Sequence, residues 1–149
     1  MLKASLMFAL VLVLAVQKPA GSLAAEAGAV AVSETDRTAI HAVITRQLEA
    51  FRVDDGETAF AQAAPKIRSI FQTVGNFMAM VRGGYPPVYR SRDYDFRGIE
   101  VINGTIVQKV LVVGADGAVV LAIYEMERQA DGRWLINGCV LVEAQEEAV

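Results

Sequence analysis

The chain holds one histidine and one cysteine, and that scarcity limits the chemistry open to it. His41 falls beside Ile44 and Leu48 on a helical wheel, at the border of an apolar stripe. An imidazole there, given a fixed carboxylate partner, could act as a general base. No carboxylate is placed opposite it by the spacing, so a partly exposed helix residue is the simpler account. Gln47 lies nearer the centre of the same stripe, between Val43, Ile44 and Phe51, where a buried side-chain amide must find hydrogen-bond partners. Gln108 and Tyr124 stand within apolar strand patterns and complete the candidate pocket set His41, Gln47, Gln108 and Tyr124. For the two glutamines, satisfaction of backbone groups competes with ligand contact.

The densest polar segment is Arg90-Ser91-Arg92-Asp93-Tyr94-Asp95. Arg90 and Arg92 are candidates to clamp a carboxylate or phosphate, while Asp93 and Asp95 could equally neutralise them on an edge strand, where charge discourages aggregation. Asp54 and Asp55 precede Gly56 at a helix boundary and read as caps rather than a catalytic pair. Cys139 sits in the apolar run Asn137-Gly138-Cys139-Val140-Leu141 and reads as a buried, inert thiol. A single cysteine permits neither an intramolecular disulfide nor a cysteine zinc cluster. No His, Asp or Glu set has metal-ligand spacing, and the chain has neither a Gly-x-Ser-x-Gly elbow nor a phosphate loop. No catalytic residue, metal or cofactor is therefore assigned.

Residues 1–25 read as a signal peptide: a short basic start at Lys3, an apolar run from Ser5 to Val16, and small residues at Gly21-Ser22-Leu23-Ala24-Ala25. The run is short for a membrane span, so the expected product is a periplasmic or secreted domain over residues 26–149 with no transmembrane segment. The formal charge of −3 becomes more acidic once Lys3 and Lys18 are removed, which gives no electrostatic footprint for nucleic acid.

The elements divide into a helical half and a strand half around Gly83-Gly84-Tyr85-Pro86-Pro87. Ser33 with Asp36 opens a helix expected over 34–53, through Ile40, Val43, Ile44, Leu48 and Phe51. A short helix carries Ala59 and Phe60; Pro65 begins another that turns Ile67, Ile70 and Phe71 inward; Asn76 begins a last helical turn. Beyond Val88 the period becomes that of strands, expected over 88–102, 105–113, 118–129 and 133–143. Asn103-Gly104, Ala115-Asp116-Gly117 and Ala130-Asp131-Gly132 supply the turns. Asn103-Gly104-Thr105 is also a glycosylation sequon, but the alternation on both sides favours the hairpin.

Helices followed by an antiparallel four-stranded meander define an α+β class. Two parity sets run through the last three strands. One holds Gln108, Val110, Leu121, Ile123, Trp134 and Val140; the other holds Leu111, Val113, Ala122, Tyr124, Cys139 and Leu141. Both sets are mostly apolar, whereas a sheet with one wet face alternates cleanly. Helices cover one side; a homodimer is expected to cover the other.

Helices ahead of a curved antiparallel sheet form the layout of the NTF2-like (cystatin-like) cone. The segments Val43-Ile44-x-x-Gln47-Leu48-x-Ala50-Phe51, Ala59-Phe60-x-x-Ala63-x-Pro65, Tyr85-x-Pro87-Val88 and Gly132-Arg133-Trp134-x-Ile136-x-Gly138-Cys139 narrow it. Together they resemble a family of small exported alphaproteobacterial proteins known only as a domain of unknown function. That resemblance implies a single NTF2-like domain and transfers no catalytic residue; the wider fold hosts pockets in some members and protein contacts in others. The expected function is a binding or interaction module, dimeric, with a pocket between the first helix and the sheet for a small apolar or amphipathic ligand. The alternatives are a small-pocket isomerase or hydrolase using His41, and an envelope assembly factor binding through Tyr85-Pro86-Pro87-Val88-Tyr89.

Overall fold

Helix α1 (Glu34–Arg52) starts where its first free backbone N–H finds a side chain. In the computed structural model, which describes residues 31–144, the Ser33 hydroxyl accepts from the Asp36 N–H at 3.1 Å and donates to its carboxylate at 2.8 Å. The expected signal peptide lies outside the described residues. The helix buries Ile40, Ile44, Gln47, Leu48 and Phe51 along one stripe. It ends at Arg52, and two residues on Asp54, with φ of 56°, turns the chain back. Arg90 donates from its guanidinium to the carbonyls of Phe51 at 2.9 Å and Arg52 at 2.7 Å, covering acceptors that the last turn leaves free.

Three further helices fold over the same side. Asp55 caps α2 (Gly56–Ala61), Pro65 occupies the first turn of α3 (Pro65–Phe71), and Thr73 caps α4 (Val74–Gly84). Helix α4 starts two residues ahead of Asn76 because Thr73 supplies the cap, and it runs through Gly83-Gly84 instead of stopping before them. A single turn, α5 (Pro86–Tyr89), occupies the residues where the first strand was expected to begin, since two prolines preset helical φ values there. The Phe77 ring gathers Phe51, Phe60 and Phe71 at centroid distances of 6.1, 5.1 and 5.9 Å. That cluster binds α1, α2, α3 and α4 together.

Strands β1 (Ser91–Ile102), β2 (Thr105–Gly114), β3 (Val119–Arg128) and β4 (Trp134–Glu143) form an antiparallel sheet in sequence order. The β1–β2 hairpin closes on Asn103 and Gly104, with φ of 50° and 79°, the left-handed pair a two-residue turn requires. The α+β layout is that expected; the face assignment is not. Paired residues share a face, and Val110 lies opposite Ala122 while Tyr124 lies opposite Cys139. The helix-facing side therefore takes Gln108, Val110 and Val112 from one expected set with Ala122, Tyr124 and Met126 from the other. Within β4 the parity itself changes: Glu125 pairs with Gly138 but Met126 with Ile136, so Asn137 is an inserted bulge residue. Trp134 and Ile136 face the helices on one side of it, Cys139 and Leu141 on the other.

The bulged strand is also clipped at its edge. The Ala64 N–H donates to the Ile136 carbonyl at 2.8 Å, and the Ile136 N–H donates to the Gln62 carbonyl at 2.9 Å. At the start of β4, Asp36 accepts from the Trp134 indole N–H at 2.9 Å, tying the first turn of α1 to the sheet. The opposite face carries Leu111, Val113, Leu121, Ile123, Val140 and Val142, and no described helix covers it; Val140 is 55% and Val119 45% exposed.

Helices α2 and α4 meet through a glycine. A Cβ on Gly56 would lie 2.7 Å from Val74 Cγ1 and 2.9 Å from Met78 Cγ. Gly56→Ala is expected to lower stability by about 1–3 kcal/mol, because overpacking outweighs the gain in helix propensity. Urea unfolding would check the sign, and a more stable variant would show that α2 can move off α4 freely.

Candidate functional site

A cavity of about 250 Å³ remains between the helices and the β3–β4 half of the sheet. Its roof comes from the apolar stripes just described: Gln47 and Phe51 of α1, Ile67 and Phe71 of α3, and Phe77 and Val81 of α4. Its floor is Tyr124 on β3 with Ile136 and Cys139 on β4. None of its lining residues is charged. The bulge at Asn137 makes this floor, because without the parity change Cys139 would point to the far face.

Tyr124 is the unusual member. It is 1% exposed, and its hydroxyl has no hydrogen-bond partner. The Cys139 thiol is beside it but outside hydrogen-bonding geometry, and a thiol is a weak partner in any case. Burial holds the Tyr124 phenol well above its ordinary pKa and pushes the Cys139 thiol up to about 12. Cys139 is thus a neutral wall atom rather than a nucleophile, in keeping with the inert thiol expected from its apolar setting. Tyr85 also lines the cavity and donates its hydroxyl to the Cys139 carbonyl at 2.8 Å, which fixes the ring against the sheet edge. Gln47 turns its amide nitrogen to the Ala59 carbonyl at 3.1 Å while bordering the same space.

Of the four pocket candidates read from the sequence, the structure brings Gln47 and Tyr124 to one cavity and sets His41 and Gln108 apart from it. Gln108 is fully buried and donates to the carbonyls of Arg97 and Lys109, each at 2.8 Å. These contacts serve the bulge where Arg97 and Gly98 oppose β2 between the Phe96–Val110 and Ile99–Gln108 pairs. With both donors used, the Gln108 amide oxygen accepts from His41 Nε2 at 3.0 Å, so that nitrogen carries the proton. The His41 ring stacks on Phe96 at 3.9 Å. An amide and an aromatic face hold His41; no carboxylate does.

Arg90 spends its guanidinium on the end of α1 and on Asp54, 2.6 Å away. Asp54 also accepts from the Tyr89 hydroxyl, and that bond first, then Arg90, holds its carboxyl below the usual range. Arg82 and Arg90 both lie over the Tyr89 ring. Arg92 is exposed at the start of β1. Among the described residues no group of three or more His, Cys, Asp or Glu could hold a metal ion, and no helix is long and apolar enough to cross a membrane.

The described residues thus form helices over one face of an antiparallel sheet, with an uncharged cavity between them. The chain belongs to the family described as Domain of unknown function (DUF4864), whose model matches residues 33–149. Neither the curated proteins nor the solved structures gave a match.

Cys139 supplies a pH test of the floor. Its thiol titrates near 9.0 without the protein's influence and near 12 in the fold, so between those values the folded state keeps a proton the unfolded chain has released. Stability should therefore fall as pH rises above 9, by at most about 1.4 kcal/mol per pH unit for one group. Cys139→Ala is expected to flatten the onset of that loss in denaturant titrations; an unchanged profile would place the thiol in water.

Proposed function

We propose that this domain is a binding module whose site is the cavity over Tyr124, taking a small apolar or amphipathic molecule. In this reading the domain is an NTF2-like cone exported to the periplasm or beyond by its leader. The observation that carries it is the uncharged space of about 250 Å³ lined by Phe51, Ile67, Phe71, Phe77 and Ile136. Packed interiors contain few voids larger than a water, and apolar cavities of comparable size take up apolar guests. The environment of His41, held by an amide and a phenyl ring, weighs against the isomerase or hydrolase alternative.

The test is thermal unfolding with naphthalene as guest. A ligand that binds only the folded state at a hundred times its Kd adds about 2.7 kcal/mol. A raised melting temperature is expected, and Ile67→Trp, which places an indole in the cavity wall, is expected to abolish the rise while remaining folded. No shift in the unmodified protein would sink the proposal.

A second copy of the chain is the proposed cover for the far face, favoured by the exposure of Val119, Val140 and Val142 beside Leu111 and Ile123. Sedimentation should give a dimer at micromolar concentration, and Val140→Glu should give a monomer. A monomer without the substitution would refute this assembly.

A further inference from the structure

Resting on that reading of the cavity, we infer that its ligand is a single-chain anionic amphiphile, with an alkyl chain of about ten carbons in the cavity and the head group outside, in water beside Lys66 and Arg68.

The cavity has a closed end and an open one. At the closed end Phe51, Phe77, Val88, Tyr124 and Ile136 are all buried. Tyr124 offers only its ring there, because its hydroxyl oxygen has essentially no accessible surface. Exposure rises through Ile67, Phe71, Met80 and Cys139, which are half-buried, to Ile70, which is 60% exposed. The mouth therefore lies between α3, α4 and β4, the edge strand of the sheet. A space that is apolar along its length and open at one end suits a chain whose polar end never leaves water, so no charge has to be desolvated. Size follows from scale: a cavity of about 150 Å³ holds benzene, so one of about 250 Å³ holds roughly ten carbons.

The sign of the head group follows from the charges around that mouth. From Thr58 to Arg92 the chain carries Lys66, Arg68, Arg82, Arg90 and Arg92 and no Asp or Glu, although acids outnumber bases 17 to 14 over the whole chain. Arg82 and Arg90 are paired with Asp54, and Arg92 lies on β1, the edge strand farthest from β4. Lys66 and Arg68 remain. Both are exposed, and neither makes an ion pair with another described residue. On α3 they flank the apolar stripe from either side: Lys66 precedes Ile70 by four residues and Arg68 precedes Phe71 by three, spacings that make neighbours on a helix surface. Their long stems can lie along that stripe with the charges in water. Glu125 stands next to Gly138 at the β4 side, but it points to the far face, since Tyr124 before it points to the helices. The mouth thus presents uncompensated positive charge to whatever head group rests there.

The inference is tested by calorimetric titration of the full chain with decanoate and with decyltrimethylammonium, which share a chain length and differ in the sign of the head. At low salt decanoate is expected to bind about tenfold more tightly, a preference that should largely vanish in about 1 M salt. The double variant Lys66→Glu/Arg68→Glu, changed only at exposed positions, should reverse the order. Ile67→Trp should abolish binding of decanoate. From hexanoate to decanoate the affinity should climb about fourfold per methylene and level off at dodecanoate, whose added carbons stay in water. Equal or tighter binding of the cation, an anion preference that survives charge reversal or strong salt, decanoate binding that survives Ile67→Trp, or affinity that climbs unchanged past dodecanoate would each overturn the inference. Failure of both amphiphiles where naphthalene binds would overturn it and leave the cavity as a binding site; failure of naphthalene as well would overturn both. Should the double variant not fold, the salt dependence of the unmodified protein decides the sign alone.

Discussion

One inserted residue, Asn137, sets the relation between sheet and helices. A strand presents alternate residues to one side, so a regular β4 would keep only one parity under the helices. By opposing two residues to one on β3, the bulge lets Trp134 and Ile136 face inward before it and Cys139 and Leu141 after it. Cys139 then meets Tyr124 across the strand pair, and the two make the floor of the cavity. The same distortion offers the Ile136 backbone to Gln62 and Ala64, which fixes the junction of α2 and α3 against an edge that would otherwise be open. Cavity floor, roof attachment and edge protection thus share one local cause.

The helical end is organised by a separate group that converges on the last turn of α1. Arg90 covers the carbonyls of Phe51 and Arg52, and its other contact, Asp54, accepts from Tyr89 as well. Asp54 can stand there because its φ of 56° turns the chain, a conformation Asn and Asp tolerate better than most residues. A segment that offers in sequence either an anion clamp or a self-neutralised edge is spent, at Arg90, on joining the helical layer to the start of β1. The site and this clamp meet at Phe51, whose ring borders the cavity and whose carbonyl receives Arg90.

The helix and strand elements were legible because their signals are local. Ser33 and Asp36, Pro65, the turn pair Asn103-Gly104 and the glycines at 117 and 132 act within a few residues of themselves. Thr73 as a cap and the prolines at 86 and 87 as a helical turn were equally local, and reveal the starts of α4 and α5. What the sequence could not disclose was register. The spacing of alternation survives any slip of one strand against its neighbour, but face identity does not, and a bulge leaves no residue signature of its own. That is why Gln108 and Gln47 could be expected in one cavity, whereas Gln108 serves the bulge carbonyl of Arg97 and Gln47 serves Ala59. Tyr124 was legible as a candidate, yet its lack of a partner arises from distant elements. Ile70, expected to face inward, is 60% exposed at the rim of the cavity, since α3 meets the fold with only part of its apolar side.

Helix α3 contributes no fully buried residue, and its N-terminal cap lacks a side-chain bond. Its seven residues lean on the fold through Ile67 and Phe71 and are fastened at one end by the Ala64–Ile136 bond, with Gln72 at φ 66° at the other. The work of lifting such a segment is a fraction of that needed to unfold the sheet. Amide exchange in α3 should then proceed through local opening rather than global unfolding. A local opening of this short helix would widen a space that already meets the surface beside Ile70, and would leave the sheet beneath it undisturbed.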